Sequence, residues 1–81
     1  MNVYPVPAHV DQPVWVEMDL TPAELEGAVL DIYDAKGAHI QHIKVVSSKT
    51  QVDGFKAQGT YFGRVITGTN EIKAVKFVIV N

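Results

Sequence analysis

The sequence predicts an all-β, immunoglobulin-like sandwich of about seven short antiparallel strands. Apolar and polar residues alternate with a period of two along much of the chain, as expected of strands with one buried face. Turn-forming residues separate these stretches about every 8–12 residues, which is typical of a sandwich. Hydrophobic residues make up 47% of the 81 residues, so we expect one folded domain over residues 1–81.

The first clear strand occupies residues 14–20, where Val14, Val16 and Met18 share one face. A helix-start pattern follows, with Thr21 as the cap, Pro22 at the first helical position and an acid three residues after the cap. A glycine at position 27 limits this helix to about one turn. It is therefore a connector, and both ends of the chain have the residue types of strands.

Residues 28–33 form the next predicted strand, and residues 34–37 form a turn in which Gly37 can adopt a positive φ. Residues 38–46 resume as a strand, but Ile40 and Ile43 have opposite parity. A β-bulge or an irregular edge would explain this break in the alternation.

The rest of the chain predicts a short strand at residues 50–52 and then a hairpin. Its two strands, residues 60–67 and 71–80, flank a short loop at residues 68–70. The alternation along all these strands assigns seven side chains to the core: Val16, Leu30, Ile32, Tyr61, Val65, Phe77 and Ile79.

Chemistry-bearing residues are sparse, and we expect neither enzymatic activity, nor a cofactor, nor a metal site. There is no cysteine, and the glycines stand singly at turns and not in a phosphate-binding loop. His39 and His42 are three residues apart, so they should point to opposite faces unless a bulge intervenes. His9 has no near partner in sequence, and all three histidines are expected to be solvated or lightly packed. The net charge of −2 and the scattered basic residues argue against nucleic acid as a partner.

One face of the predicted sheet combines apolar side chains with a few charges. Arg64 and Lys76 mark the solvent side of their strands, so their apolar neighbours of the same parity must face outward too. By the same parity Asp31 faces solvent. The outward set is Val29, Asp31, Tyr33, Phe62, Arg64, Ile66, Lys76 and Val78. This set is either an ordinary surface or a docking face, and the residues alone leave both open.

Four motifs occur in order along nearly the whole chain. They are Tyr4-Pro5-Val6-Pro7; Leu30-Asp31-Ile32-Tyr33-Asp34-Ala35-Lys36-Gly37; Gly59-Thr60-Tyr61-Phe62-Gly63-Arg64-Val65; and Lys73-Ala74-Val75-Lys76-Phe77-Val78-Ile79-Val80. In this respect the chain resembles the type A C-terminal sorting domains of the type IX (Por) secretion system. It departs from their pattern at Val6, where an asparagine is usual, and at Gly63, where an aliphatic residue is common.

The resemblance implies a secretion signal carried at the end of a longer protein. Such a domain directs a periplasmic cargo through the outer-membrane translocon, and a surface sortase then usually removes it and couples the cargo to lipopolysaccharide. The implied partners are the translocon and its shuttle proteins, the sortase and the covalently preceding cargo, while homodimerisation remains open. The implied location is the periplasm in transit to the outer-membrane surface or the extracellular space. The implied recognition residues are Tyr4, Pro5, Pro7, Tyr33, Asp34, Gly37, Gly59, Tyr61, Phe62, Arg64, Ile66, Lys73, Lys76 and Val78.

The alternative is an immunoglobulin-like or fibronectin-like module that acts as a spacer or ligand binder in an extracellular protein. A sugar-binding or small-molecule-binding module should present a concave platform of aromatic side chains. Trp15, Phe55 and Phe77 do not fall together by parity, so the sequence predicts dispersed aromatics. This favours the secretion signal without excluding the spacer.

Overall fold

The computed structural model describes all residues 1–81 and contains eight strands and one short helix. In chain order these are β1 (Asn2–Tyr4), β2 (Ala8–His9), β3 (Val14–Glu17), α1 (Pro22–Leu25), β4 (Val29–Asp34), β5 (His39–Lys44), β6 (Lys49–Val52), β7 (Gly59–Ile66) and β8 (Ile72–Val80). The structure contains no helix with the length and apolar composition of a membrane span.

The strands form two sheets, one with the order β1-β3-β6 and one with the order β2-β8-β7-β4-β5. The predicted all-β sandwich is therefore confirmed. The structure has one strand more than the seven predicted, and this additional strand is β2. Its two residues are too few to show any periodicity. It runs parallel to β8, with Ala8 opposite Ile79, so the expectation of a wholly antiparallel sandwich is wrong for this one pair.

The core lies between the sheets, where the alternating strands place their apolar side chains. All seven predicted core residues are buried, and Leu30, Ile32, Val16 and Val65 are fully enclosed. Truncating Leu30 to alanine is expected to cost about 2–5 kcal/mol, a large share of the stability of a small domain.

Three aromatic rings form one cluster inside this core. The ring of Phe55 lies 4.9 Å from that of Tyr61 and 5.6 Å from that of Phe77, edge-on to both. The prediction of dispersed aromatics is wrong for Phe55 and Phe77, because Phe55 reaches the core from the loop before β7 and strand parity does not govern it. The cluster is buried and offers no platform to a ligand.

Helix α1 begins and ends as the sequence predicts. The Thr21 hydroxyl accepts a hydrogen bond from the Glu24 amide, and the Glu24 carboxylate accepts one from the Thr21 amide, which completes a capping box. The hydrogen bond from the Thr21 backbone is the main cause that lowers the pKa of Glu24. The amide of Gly68 also donates to the Glu24 carbonyl, 2.6 Å away, so α1 closes against the β7–β8 loop.

A β-bulge interrupts the pairing of β4 with β5. Ile32 lies opposite Gln41, but the next residue of β4, Tyr33, lies opposite His39. Ile40 is therefore the extra residue, which confirms the irregularity predicted from the parities of Ile40 and Ile43. The bulge returns His39 to the same side of the sheet as His42.

Candidate functional site

The five-stranded sheet has one face against the core and one face open to solvent. Cross-strand neighbours bring β4, β7 and β8 together on the open face: Tyr33 lies opposite Phe62, and Phe62 lies opposite Lys76. We call this surface the outer face. Its residues are Val29, Asp31 and Tyr33 of β4; Phe62, Arg64 and Ile66 of β7; Ile72, Ala74, Lys76 and Val78 of β8; and His39 and His42 of β5.

The apolar part of the outer face is accessible. Phe62 is 41% exposed and Val78 is 39% exposed, while Val29, Tyr33 and Ile66 are half-buried between their neighbours. The outward orientation predicted for these side chains is therefore confirmed. A shallow cavity of about 400 Å³ lies beside Phe62 and extends to the β4–β5 turn at Asp34 and Gly37.

Two cations lie within this apolar surface. The Arg64 guanidinium donates a hydrogen bond to the Tyr33 hydroxyl, with 2.7 Å between Nη2 and Oη. It also lies 5.2 Å from the centroid of the Tyr33 ring, within the range of a cation–π contact. Lys76 is exposed and makes no ion pair. A partner of this surface therefore meets apolar side chains together with two positive charges.

Next to the apolar part, Asp31 contacts two histidines. His39 Nε2 lies 2.9 Å and His42 Nδ1 lies 2.7 Å from the same oxygen, Asp31 Oδ1. The two histidines are exposed, as expected, but the bulge aligns them on one face, where both contact Asp31. The expectation that Asp31 is exposed is wrong. It lies on the outward side of β4, yet it is only 7% exposed because the two imidazoles cover it.

Burial is the largest influence on the Asp31 carboxyl, and by itself it would raise the pKa by disfavouring the charged form. The hydrogen bonds from His42 and His39 act in the opposite direction, and together with the attraction between the charges they outweigh the effect of burial. The net result is a lowered pKa for Asp31. The group is therefore held as a carboxylate.

The β4–β5 turn and the start of β7 hold four more of the predicted recognition residues. Asp34 Oδ1 accepts hydrogen bonds from the amides of Lys36 and Ala38, both at 2.9 Å, and Gly37 has a φ of +85°. Gly59 is exposed where β7 begins. Tyr61 is 6% exposed, and its hydroxyl donates a hydrogen bond to the Ala57 carbonyl oxygen 2.7 Å away. The core position predicted for Tyr61 is therefore confirmed, and its side chain is not part of the outer face.

The other predicted recognition residues lie away from the outer face. Tyr4 belongs to the three-stranded sheet, where Lys49 Nζ lies 5.8 Å from its ring centroid. Pro5 and Pro7 are exposed in the segment between β1 and β2. Lys73 lies opposite Val65, on the side of β8 turned away from Lys76. The fourteen residues thus do not form one surface, and the outer face gathers six of them: Tyr33, Phe62, Arg64, Ile66, Lys76 and Val78.

Two features of the surface were missed at the sequence level. One is the Asp31–His39–His42 cluster, for which the parity conflict between Ile40 and Ile43 was the available signal. The other is a cavity of about 540 Å³ between α1 and the adjoining ends of β4 and β5. It is lined by residues that include Leu25, Ala28 and Val45, which no sequence spacing relates to one another.

No protein-family model matches this chain, and no match was found among curated protein sequences. A solved structure does match in fold, with a TM-score of 0.79 over 99% of this chain and 19% sequence identity. It is PorZ of Porphyromonas gingivalis, described as an essential bacterial surface component of the type-IX secretion system. The present chain spans 11% of the length of PorZ. The likeness supports the sandwich fold of the whole chain.

Proposed function

We propose that this chain is a C-terminal secretion signal that directs a periplasmic cargo through the outer-membrane translocon of a type IX secretion system. The observation that carries the proposal is the fold likeness, which extends over 99% of the chain, to part of a surface component of that system. The four sequence motifs support it, since three of them lie in β4 with its following turn, in β7 and in β8, the strands that carry most of the outer face.

The outer face is the surface that we propose the export machinery binds. Exposed apolar side chains on a small domain favour contact with another protein, because burying them removes their contact with water. Arg64 and Lys76 restrict the partner to a surface that can accept positive charge. After export, a surface sortase would remove the domain and leave the cargo attached to lipopolysaccharide.

The test is a reporter enzyme that carries a signal peptide at its start and residues 1–81 at its end, expressed in a host with this secretion system. We expect the reporter at the cell surface or in the medium, and we expect it in the periplasm when the translocon gene is deleted. Surface delivery that is equal in both strains, or no delivery in either, would contradict the proposal.

A second candidate is a module that stays in the mature surface protein as a spacer or accessory domain. The solved structure of PorZ favours it, because that surface component is seen with the matching region in its chain. Mass spectrometry of the surface-exposed reporter distinguishes the two candidates. Loss of residues 1–81 from the mature reporter indicates a sorting signal, whereas their retention indicates the accessory module.

A further inference from the structure

Three potential metal ligands converge on the outer face. Asp31 Oδ1, His39 Nε2 and His42 Nδ1 all lie within 4.8 Å of one another. They come from two paired strands, with His42 directly opposite Asp31 and His39 opposite Tyr33. The bulge at Ile40 makes this possible, since without it one histidine would face the core. Bulges that re-aim a side chain in this way are over-represented next to functional sites.

The burial of the Asp31 side chain is the second observation. Its side chain is only 10% exposed, and its partners within ion-pair distance are His39 and His42, with no lysine or arginine among them. The nearest cation in register is Arg64, but its guanidinium is bonded to the Tyr33 hydroxyl instead. Buried carboxylates are normally paired with a cation or coordinate a metal.

We propose that Asp31, His39 and His42 bind one Zn²⁺ ion on the outer face. Two imidazoles with one carboxylate suit zinc, whereas Mg²⁺ and Ca²⁺ prefer ligand sets made only of oxygen. Three protein ligands leave a fourth, tetrahedral position for water or for a ligand supplied by a partner. The inference does not depend on the export function, because it concerns metal binding by the isolated chain.

Each ligating nitrogen must first lose the hydrogen that it donates to Asp31, by a change of tautomer in a neutral ring or by release of a proton from a charged one. The side chains can then adjust to the ion with small movements. Ligand atoms in a tetrahedral zinc site lie about 3.3 Å apart. His39 Nε2 and His42 Nδ1 lie 2.9 and 2.7 Å from Asp31 Oδ1, so they must move away from it by about 0.4 and about 0.6 Å. The side chains of His39 and His42 are 47% and 57% exposed, so they are free to make this movement. Asp31 is the fixed member, because its strand β4 is paired on both sides, with β7 and with β5.

The experiment is a calorimetric titration of the purified 81-residue chain with ZnCl₂, with MgCl₂ as the comparison. We expect one Zn²⁺ per chain, no saturable binding of Mg²⁺, and a higher melting temperature with zinc, because a ligand that binds only the folded state stabilises it. His39→Gln and His42→Gln should each weaken zinc binding at least tenfold. The matched control is His9→Gln, which removes the remaining exposed histidine outside the cluster and should leave binding unchanged.

A second measurement is nitrogen NMR of the histidine rings. Zinc should shift the signals of His39 and His42 and leave those of His9 in place. The two histidine variants change exposed side chains, so they keep the test meaningful even if Asp31→Asn fails to fold. Any of four outcomes overturns the proposal: no saturable zinc binding; zinc binding that neither His39→Gln nor His42→Gln weakens; an equal loss of zinc affinity with His9→Gln; or one zinc ion shared between two chains.

Discussion

Arg64 and Tyr33 form a diagonal pair across β7 and β4. In register, Arg64 lies opposite Asp31 and Tyr33 lies opposite Phe62. The guanidinium nevertheless bonds the Tyr33 hydroxyl at 2.7 Å and lies near the Tyr33 ring, and it does not pair with Asp31. Because Arg64 bonds Tyr33 and not Asp31, its positive charge lies against the apolar part of the outer face. The Asp31 carboxylate therefore remains available to the two histidines.

A double-mutant cycle measures the strength of this pair. We expect Tyr33→Leu and Arg64→Met to show a coupling free energy of about 0.5–1 kcal/mol, the range of a cation–π contact at an exposed site. Urea denaturation of the wild type, both single variants and the double variant gives the value. A coupling near zero, with unchanged denaturant slopes, would show that the contact orients Arg64 without stabilising the fold.

Export by the reporter fusion should depend on the apolar part of the outer face. Phe62→Ser removes an exposed ring, so the fold should be retained while surface delivery of the reporter falls. Val46→Ser is the matched control, because Val46 is 81% exposed and lies outside the outer face. Circular dichroism verifies the fold of both variants. Normal export of a folded Phe62→Ser protein, or an equal loss with Val46→Ser, would show that the machinery does not bind this surface.

The sequence predicted the sandwich, its core and the orientation of the outer face because all three follow from strand parity. Val65 and Arg64 are neighbours in the chain, yet one is buried and the other exposed, as alternation requires. The Asp31–His39–His42 cluster was not predicted, because one extra residue at Ile40 reverses the parity of everything beyond it. The conflict between Ile40 and Ile43 revealed the bulge but could not show which of the residues it displaced.

Long-range contacts explain the other differences. Phe55 joins the rings of Tyr61 and Phe77 from a loop, and β2 pairs with β8 from 71 positions away in the register Ala8 to Ile79. Neither contact leaves a periodic pattern in the local sequence. Both depend on the closure of the two sheets on each other, which a residue-by-residue prediction does not include.

Gly68 should not tolerate alanine. A Cβ at this position would overlap the Glu26 carbonyl oxygen and lie 2.6 Å from that of Ala23, so the β7–β8 loop or α1 would have to move. We expect Gly68→Ala to destabilise the fold by about 1–3 kcal/mol, the usual cost of overpacking. Thermal unfolding should show this as a lower melting temperature, by roughly 4–8 °C for each kcal/mol.

Gly63→Ala is the matched control for that prediction. A Cβ there would meet Val75, Leu30 and Ile32 at 3.4–3.6 Å, which is ordinary van der Waals contact in the core. Alanine also lowers the conformational entropy of the unfolded chain, so the melting temperature of Gly63→Ala should be equal to or above that of the wild type. A lower melting temperature for Gly63→Ala than for Gly68→Ala would contradict the proposed steric cause.

Gly37 tests backbone strain separately from packing. Its φ is +85°, and a Cβ would meet no atom within 4 Å, so the cost of a side chain there is conformational alone. Gly37→Val should destabilise the fold by roughly 1–2 kcal/mol, the penalty of a left-handed backbone for a residue with a Cβ. An unchanged urea midpoint would show that the turn readily adopts another backbone conformation.

The end of β8 should be required for export for two separable reasons. Deleting residues 77–81 removes Phe77 and Ile79 from the core and the pairing of β8 with β2, so the sandwich should loosen. The reporter should then accumulate in the periplasm or be degraded there.

The second reason is direct contact between β8 and the export machinery, and Lys76→Glu tests it separately. Lys76 is exposed, so its replacement should change stability by no more than about 0.5 kcal/mol. Reduced export of a folded Lys76→Glu variant would indicate that the machinery contacts this strand directly, through its positive charge. Full export of that variant together with failure of the deletion would leave folding as the only cause. Normal surface delivery of the reporter that lacks residues 77–81 would rule out a requirement for the end of β8.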